Sequence, residues 1–181
     1  MQTLDKSLCK ATHPCVDKNP KKNKTSRGDV TLIKIYLSNF EVSNDFKRHK
    51  DFELKVPKLL DDLKKYEIEI VYLKEFEEYD IIEKTIAQCD CLLAIVDEYW
   101  TSSTWKASEV TYANGDGGSG ITNNPRITPK PVFIFPVYEN VKLAFLKDYK
   151  GPIMLSSNVN EAVMTIVERL FKGRTSVCVS E

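Results

Sequence analysis

The chain is predicted to fold as an α/β three-layer sandwich around a five-stranded parallel sheet. Three observations carry that expectation. Short apolar, β-branched runs alternate with segments of helical period. One of those runs, Cys91-Leu92-Leu93-Ala94-Ile95-Val96, is apolar without a break, as a central strand covered on both faces must be. The final strong pattern, from Val159 to Phe171, is an amphipathic helix suited to closing one layer.

The elements follow in order from Val30. Val30 to Leu37 is the first strand, stopping at Ser38-Asn39. Phe52, Val56, Leu59, Leu60 and Leu63 then recur at spacings of three and four, giving an amphipathic helix. Pro57 lies inside that stretch, and its preference for a first helical position predicts a start near there. In the second strand Ile68, Ile70 and Tyr72 alternate with Glu69, Val71 and Leu73. Ile81, Ile82, Thr85 and Ile86 predict a short helix before the central strand. Trp105 to Asn114 reads as helix, and Gly115 to Lys130 as a long loop. Val132–Phe135 and Ile153–Leu155 supply two more strands. The last helix carries Val159, Ala162, Val163, Ile166, Val167, Leu170 and Phe171 on one face, with Asn158 or Ser157 as its cap.

Right-handed crossovers between parallel strands make the flavodoxin-like order 2-1-3-4-5 the compact solution. Its ligand crevice lies past the carboxyl ends of strands one and three, where the winding reverses. The loops to inspect are therefore Ser38-Asn39-Phe40 and Asp97-Glu98-Tyr99-Trp100.

Composition bounds the partners. Of 181 residues, 42% are hydrophobic and 29% charged, enough for one core-bearing domain. Lysine plus arginine equal aspartate plus glutamate at 26 each, so no global field steers the protein to nucleic acid or an anionic membrane. Residues 1–29 differ: seven basic residues stand against three acidic ones with no hydrophobic period. They read as a polar, disordered tail or linker, followed by a domain over 30–172 and a short tail over 173–181. No apolar run approaches the roughly 20 residues of a membrane helix, and the first residues lack a signal-peptide core. A cytoplasmic location without membrane contact is expected. The five cysteines do not form a disulfide framework, and Cys9, His13 and Cys15 lack a local fourth ligand for zinc; no metal or cofactor is expected.

The chemistry is concentrated in Glu98 to Glu109. At about 100° per residue, Trp105, Glu109, Tyr112, Ala113, Val110 and Ala107 share one arc, so Glu109 falls within an apolar helix face. Lys106 projects there too and can pair with it. Such a carboxylate raises its pKa unless partnered. A solvated or lysine-paired glutamate is the plain structural alternative, as core packing is for Trp105 and Phe40.

The spacing Trp100, Ser103, Trp105, Glu109 after the central strand resembles that of Toll/interleukin-receptor (TIR) domains, and Ser38 with Asp45 resembles the opening motif of that family. The resemblance covers about Val30 to Phe171. It implies an NAD-cleaving enzyme with Glu109 as the catalytic carboxylate, Ser38, Phe40, Asp45, Trp100, Ser103 and Trp105 as substrate-binding residues, and NAD as substrate rather than cofactor. It also implies self-association with other TIR domains, with Lys74–Asp80 as the matching contact loop. That loop is acidic and lacks the arginine–aspartate and proline–glycine pairs of receptor signalling domains, and the chain has no convincing match to their phenylalanine–tryptophan motif. Other motifs give way on physical grounds. The glycine-rich run Gly115–Gly120 follows a helix, whereas a phosphate loop precedes one. Asp97 would serve a receiver domain, but Ser38-Asn39 is no acidic pair. His13 and His49 sit in polar stretches unsuited to a hydrolase triad. Two rivals persist: a non-catalytic interaction module of the same fold, and a nucleoside deoxyribosyltransferase-like enzyme using Glu109 with Tyr112-Ala113.

Overall fold

A computed structural model describes residues 32–39, 49–73, 77–115, 124–141 and 151–172. All of these belong to the compact unit Thr31–Glu181. The N-terminal tail, the Cys9–His13–Cys15 set, the last residues from 173, and Phe40, Asp45 and 74–76 lie outside the described residues.

The described residues form ten elements, of which the sequence predicts the five strands and every helix but α3: β1 (Ile33–Ser38), α1 (Lys50–Lys64), β2 (Ile68–Val71), α2 (Tyr79–Gln88), β3 (Cys91–Val96), α3 (Glu98–Ser102), α4 (Thr104–Ala113), β4 (Val132–Pro136), β5 (Ile153–Met154) and α5 (Val159–Lys172). The sheet order is β2-β1-β3-β4-β5, with every pairing parallel. Register sets Tyr36 beside Leu92 and Ser38 beside Ala94. β3 is buried at every position, which is why its sequence has no polar alternation.

Side chains of period two divide the interior. Ile33, Ile35, Leu37 and Leu93 face Leu59 and Leu63 of α1 and Ala162 and Ile166 of α5. Tyr36, Leu92, Ala94 and Ile134 face Ile82 and Ile86 of α2 and Val110, Tyr112 and Ala113 of α4.

Two local expectations need correction. α1 begins at Lys50, well before Pro57, which sits in its interior. The missing N–H would have bonded the Glu53 carbonyl, and both residues are exposed, so water can satisfy that carbonyl. An interior proline costs about 3 kcal/mol, while burying Leu59 and Leu63 contributes roughly 1.5–3 kcal/mol each. The stripe wins. The other correction is α3, whose five residues are too few to display a hydrophobic period. Its start is fixed instead by Asp97, whose Oδ1 accepts from the backbone N–H of Tyr99 at 3.1 Å and of Trp100 at 2.8 Å.

The closing caps are specific. Asn158 is the cap of α5, its Oδ1 accepting from the N–H of Asn160 at 3.0 Å and of Glu161 at 3.3 Å. Gly115 ends α4 at φ +81°, where an added Cβ would meet Pro129 at 2.8 Å, so the first of the run of glycines is a helix stop. Among the described residues no helix is long and apolar enough to cross a membrane.

Candidate active site

At the crevice end of the sheet a side-chain hydrogen bond ties the helix after β3 to the end of β1. Trp100, in α3 just past β3, donates its indole Nε1–H to Ser38 Oγ at the end of β1, at 3.0 Å. Both residues are 0% exposed. Ser38 thereby spends a lone pair on the indole and keeps its own proton for another acceptor.

That acceptor side is Glu109. It lies on α4 with 1% exposure, between Trp105 and Ala113 in the helix sequence as the arc requires. Lys106, one helical turn earlier, places Nζ 2.8 Å from Oε1. Oε2 has no hydrogen-bond partner among the described residues. Burial pushes the Glu109 carboxyl above the usual glutamate range; the Lys106 ammonium pulls it back, helped less strongly by the Ser38 and Tyr36 hydroxyls of β1. By distance and angle neither hydroxyl completes a bond to Oε2. Tyr36 responds in turn: burial, and then the charge of Glu109, raise its phenol.

Tyr36 is the neighbour that sequence reasoning missed. The signal was present, since it shares Ser38's side of β1 at a spacing of two. Asn39, the next residue along, is a second omission: its Oδ1 is buried and likewise without a partner among the described residues. Two unpartnered acceptors thus belong to the same end of the molecule. Buried acceptors are normally satisfied, so this is a place suited to a ligand that donates hydrogen bonds.

The other expected site residues separate into distinct roles. Ser38 and Trp100 are at the crevice beside Glu109, but Trp100 has no exposed ring face, so stacking on a substrate ring does not fit its burial. Ser103 caps α4, its Oγ accepting from Lys106 N–H at 3.4 Å. Trp105 is 52% exposed and packs its ring at 5.1 Å from that of Tyr79. It occupies the first turn of α4 and is less buried than Glu109 on the same arc. Phe40 and Asp45 lie outside the described residues. So do 74–76 of the contact loop; its end, Asp80, pairs with Lys84 on α2.

Other chemistry finds little support among the described residues. No group of three or more histidines, cysteines or acidic residues is arranged for a metal. Asp97 is occupied as the α3 cap. Cys89 and Cys91 are free and buried; burial lifts the Cys89 thiol to about 11 and Cys91 further, so neither is a thiolate nucleophile at neutral pH. Glu83, also buried, accepts from Asn124 Nδ2 at 2.9 Å, tying α2 to the segment before β4. The groove of about 560 Å³ beside Phe52, Val56 and Leu60 belongs to α1, across the sheet from Glu109.

No protein-family model matches the chain, and no curated protein matches its sequence.

Proposed function

We propose that the chain is a TIR-type NAD glycohydrolase acting in immune or cell-death signalling, releasing nicotinamide and ADP-ribose or its cyclised form. What supports this reading is a single observation: a buried carboxylate, Glu109, beside the end of β1, with one oxygen unpartnered. The reaction suits such a group. The bond between C1′ of the ribose and the pyridinium nitrogen breaks with its electron pair going to nicotinamide, which leaves neutral and needs no general acid. Positive charge develops on the ribosyl carbon. A carboxylate in a site of low dielectric stabilises it strongly, and water, or the adenine nitrogen in the cyclised product, completes the substitution. Asn39 Oδ1 and Ser38 stand at the same end of the sheet to orient sugar hydroxyls. Self-association through the Lys74–Asp80 segment, in the cytoplasm, belongs to the same reading.

A second reading is favoured by one observation. Glu109 at 1% exposure, closed against Lys106, is what a non-catalytic interaction module of this fold would hold for structure. The test is nicotinamide release across a protein concentration series, with Glu109→Ala as control and a deoxynucleoside as alternative substrate. Release from NAD that rises faster than concentration and vanishes in the variant supports the enzyme. Base release from the deoxynucleoside alone points to a deoxyribosyltransferase-like activity. Inert protein at every concentration leaves the module.

A further inference from the structure

We propose that Lys106 is a positioning residue for that reaction: it holds Oε1 of Glu109 and leaves Oε2 as the oxygen presented to the sugar. The inference rests on the NAD-cleaving reading and deepens it. Three features converge on it. Lys106 and Glu109 are three residues apart on one helix face, so the ammonium reaches the carboxylate within a single turn. Their side chains are 19% and 1% exposed, so the lysine stem forms the outer side of the pair while its charge points inward. And the contact is one-sided: 2.8 Å to Oε1, with nothing among the described residues on Oε2.

The electrostatics give the arrangement a purpose. A carboxylate this deeply buried tends to take up a proton, and a neutral acid offers nothing to a ribosyl cation. The groups facing it are Lys106 from its own helix, and Tyr36 and Ser38 from β1. The Trp100 indole N–H goes to Ser38 rather than to the carboxylate, and Tyr79 of α2 acts on Tyr36. Both hydroxyls are neutral at physiological pH, so the lysine is the charge among them that opposes the proton uptake favoured by burial. It does so from the Oε1 side, and it also fixes the rotation of the carboxylate plane.

The test is the pH profile of nicotinamide release by wild type, Lys106→Met and Lys106→Arg. The Met variant should lose at least about tenfold near neutrality, with its acid limb moved to higher pH and part of the rate recovered there. Arg, which keeps charge and donor, should restore most of it. A Met profile that keeps the wild-type position overturns the proposal. If the Met variant does not fold, Lys106→Gln retains a donor without charge and should show the same displacement. Carbon-13 titration of the Glu109 carboxyl, identified through Glu109→Gln, reads the same effect without turnover. Its midpoint should rise in the Met variant, and an unmoved midpoint overturns the role of Lys106. An inactive wild type whose Glu109 midpoint does rise would sink the enzymatic reading while leaving the lysine's hold on the carboxylate in place.

Discussion

The two faces of the sheet are built from the same strands and differ in almost everything else. Toward α1 and α5 the core is largely aliphatic with two phenylalanines, and among the described residues neither helix buries a charged side chain. Toward α2 and α4 it contains Tyr36, Tyr79, Trp100 and Tyr112, and α2 and α4 each bury a carboxylate there, Glu83 and Glu109. Alternation along β1 shows how closely the two are interleaved: Ile35 and Leu37 serve the first face, Tyr36 and Ser38 the second. A shift of one residue in register would exchange them. The first face holds the molecule together. The second carries the buried polar groups on which the proposed chemistry rests.

That contrast can be broken or sharpened by substitution. The largest loss of stability is expected on the aliphatic face: Leu59→Ala, at a fully buried position, should cost about 2–5 kcal/mol in urea unfolding. A cost below that of any change on the other face would reverse the assignment of roles. Trp100→Phe comes next, at about 1–3 kcal/mol, from the smaller ring and the lost bond to Ser38; the same melt measures it, and an unaltered protein would show that the indole link is not structural.

Glu109→Gln is expected to act in the opposite direction. Burial raises the folded-state pKa of Glu109, so the folded protein binds that proton more tightly than the unfolded chain does. The resulting contribution to stability is complete below the ordinary glutamate value and lost as pH rises through the folded one. Removing the charge should therefore raise the melting temperature at neutral pH, with the gap over wild type closing on acidification. A variant less stable at neutral pH would mean that the Lys106 pair outweighs desolvation. The smallest effect belongs to Trp105→Ala, half-exposed at the start of α4, which should change stability by no more than about 0.5 kcal/mol. If the exposed ring contacts substrate, KM rises without a change in folding.

How much of this could be read from the sequence depends on the length of the signal. The strand order was legible because β3 carries six apolar residues in succession and the flanking patterns alternate. The inward turn of Glu109 was legible because ten residues of α4 give a helical arc time to declare itself. Shorter signals failed. α3 has five residues and is set by an aspartate cap, so Trp100 read as an aromatic on a loop, free to bind, when its ring is fully buried. Trp105 shows the limit of the arc, which assigns a face and not how far that face is covered: the ring is half-exposed. The start of α1 was misplaced by giving Pro57 its local preference where a five-residue apolar stripe overrode it. Lys106 was visible as a possible partner, but which carboxylate oxygen it takes is a matter of three-dimensional reach.

The measurement that bears most directly on Glu109 is nicotinamide release from NAD by the concentrated protein, wild type beside Glu109→Gln, with both shown to be folded. Release by wild type and a loss of at least about 100-fold in the variant is the predicted result. Equal release from the two proteins, or none from a folded wild type at any concentration, would contradict it.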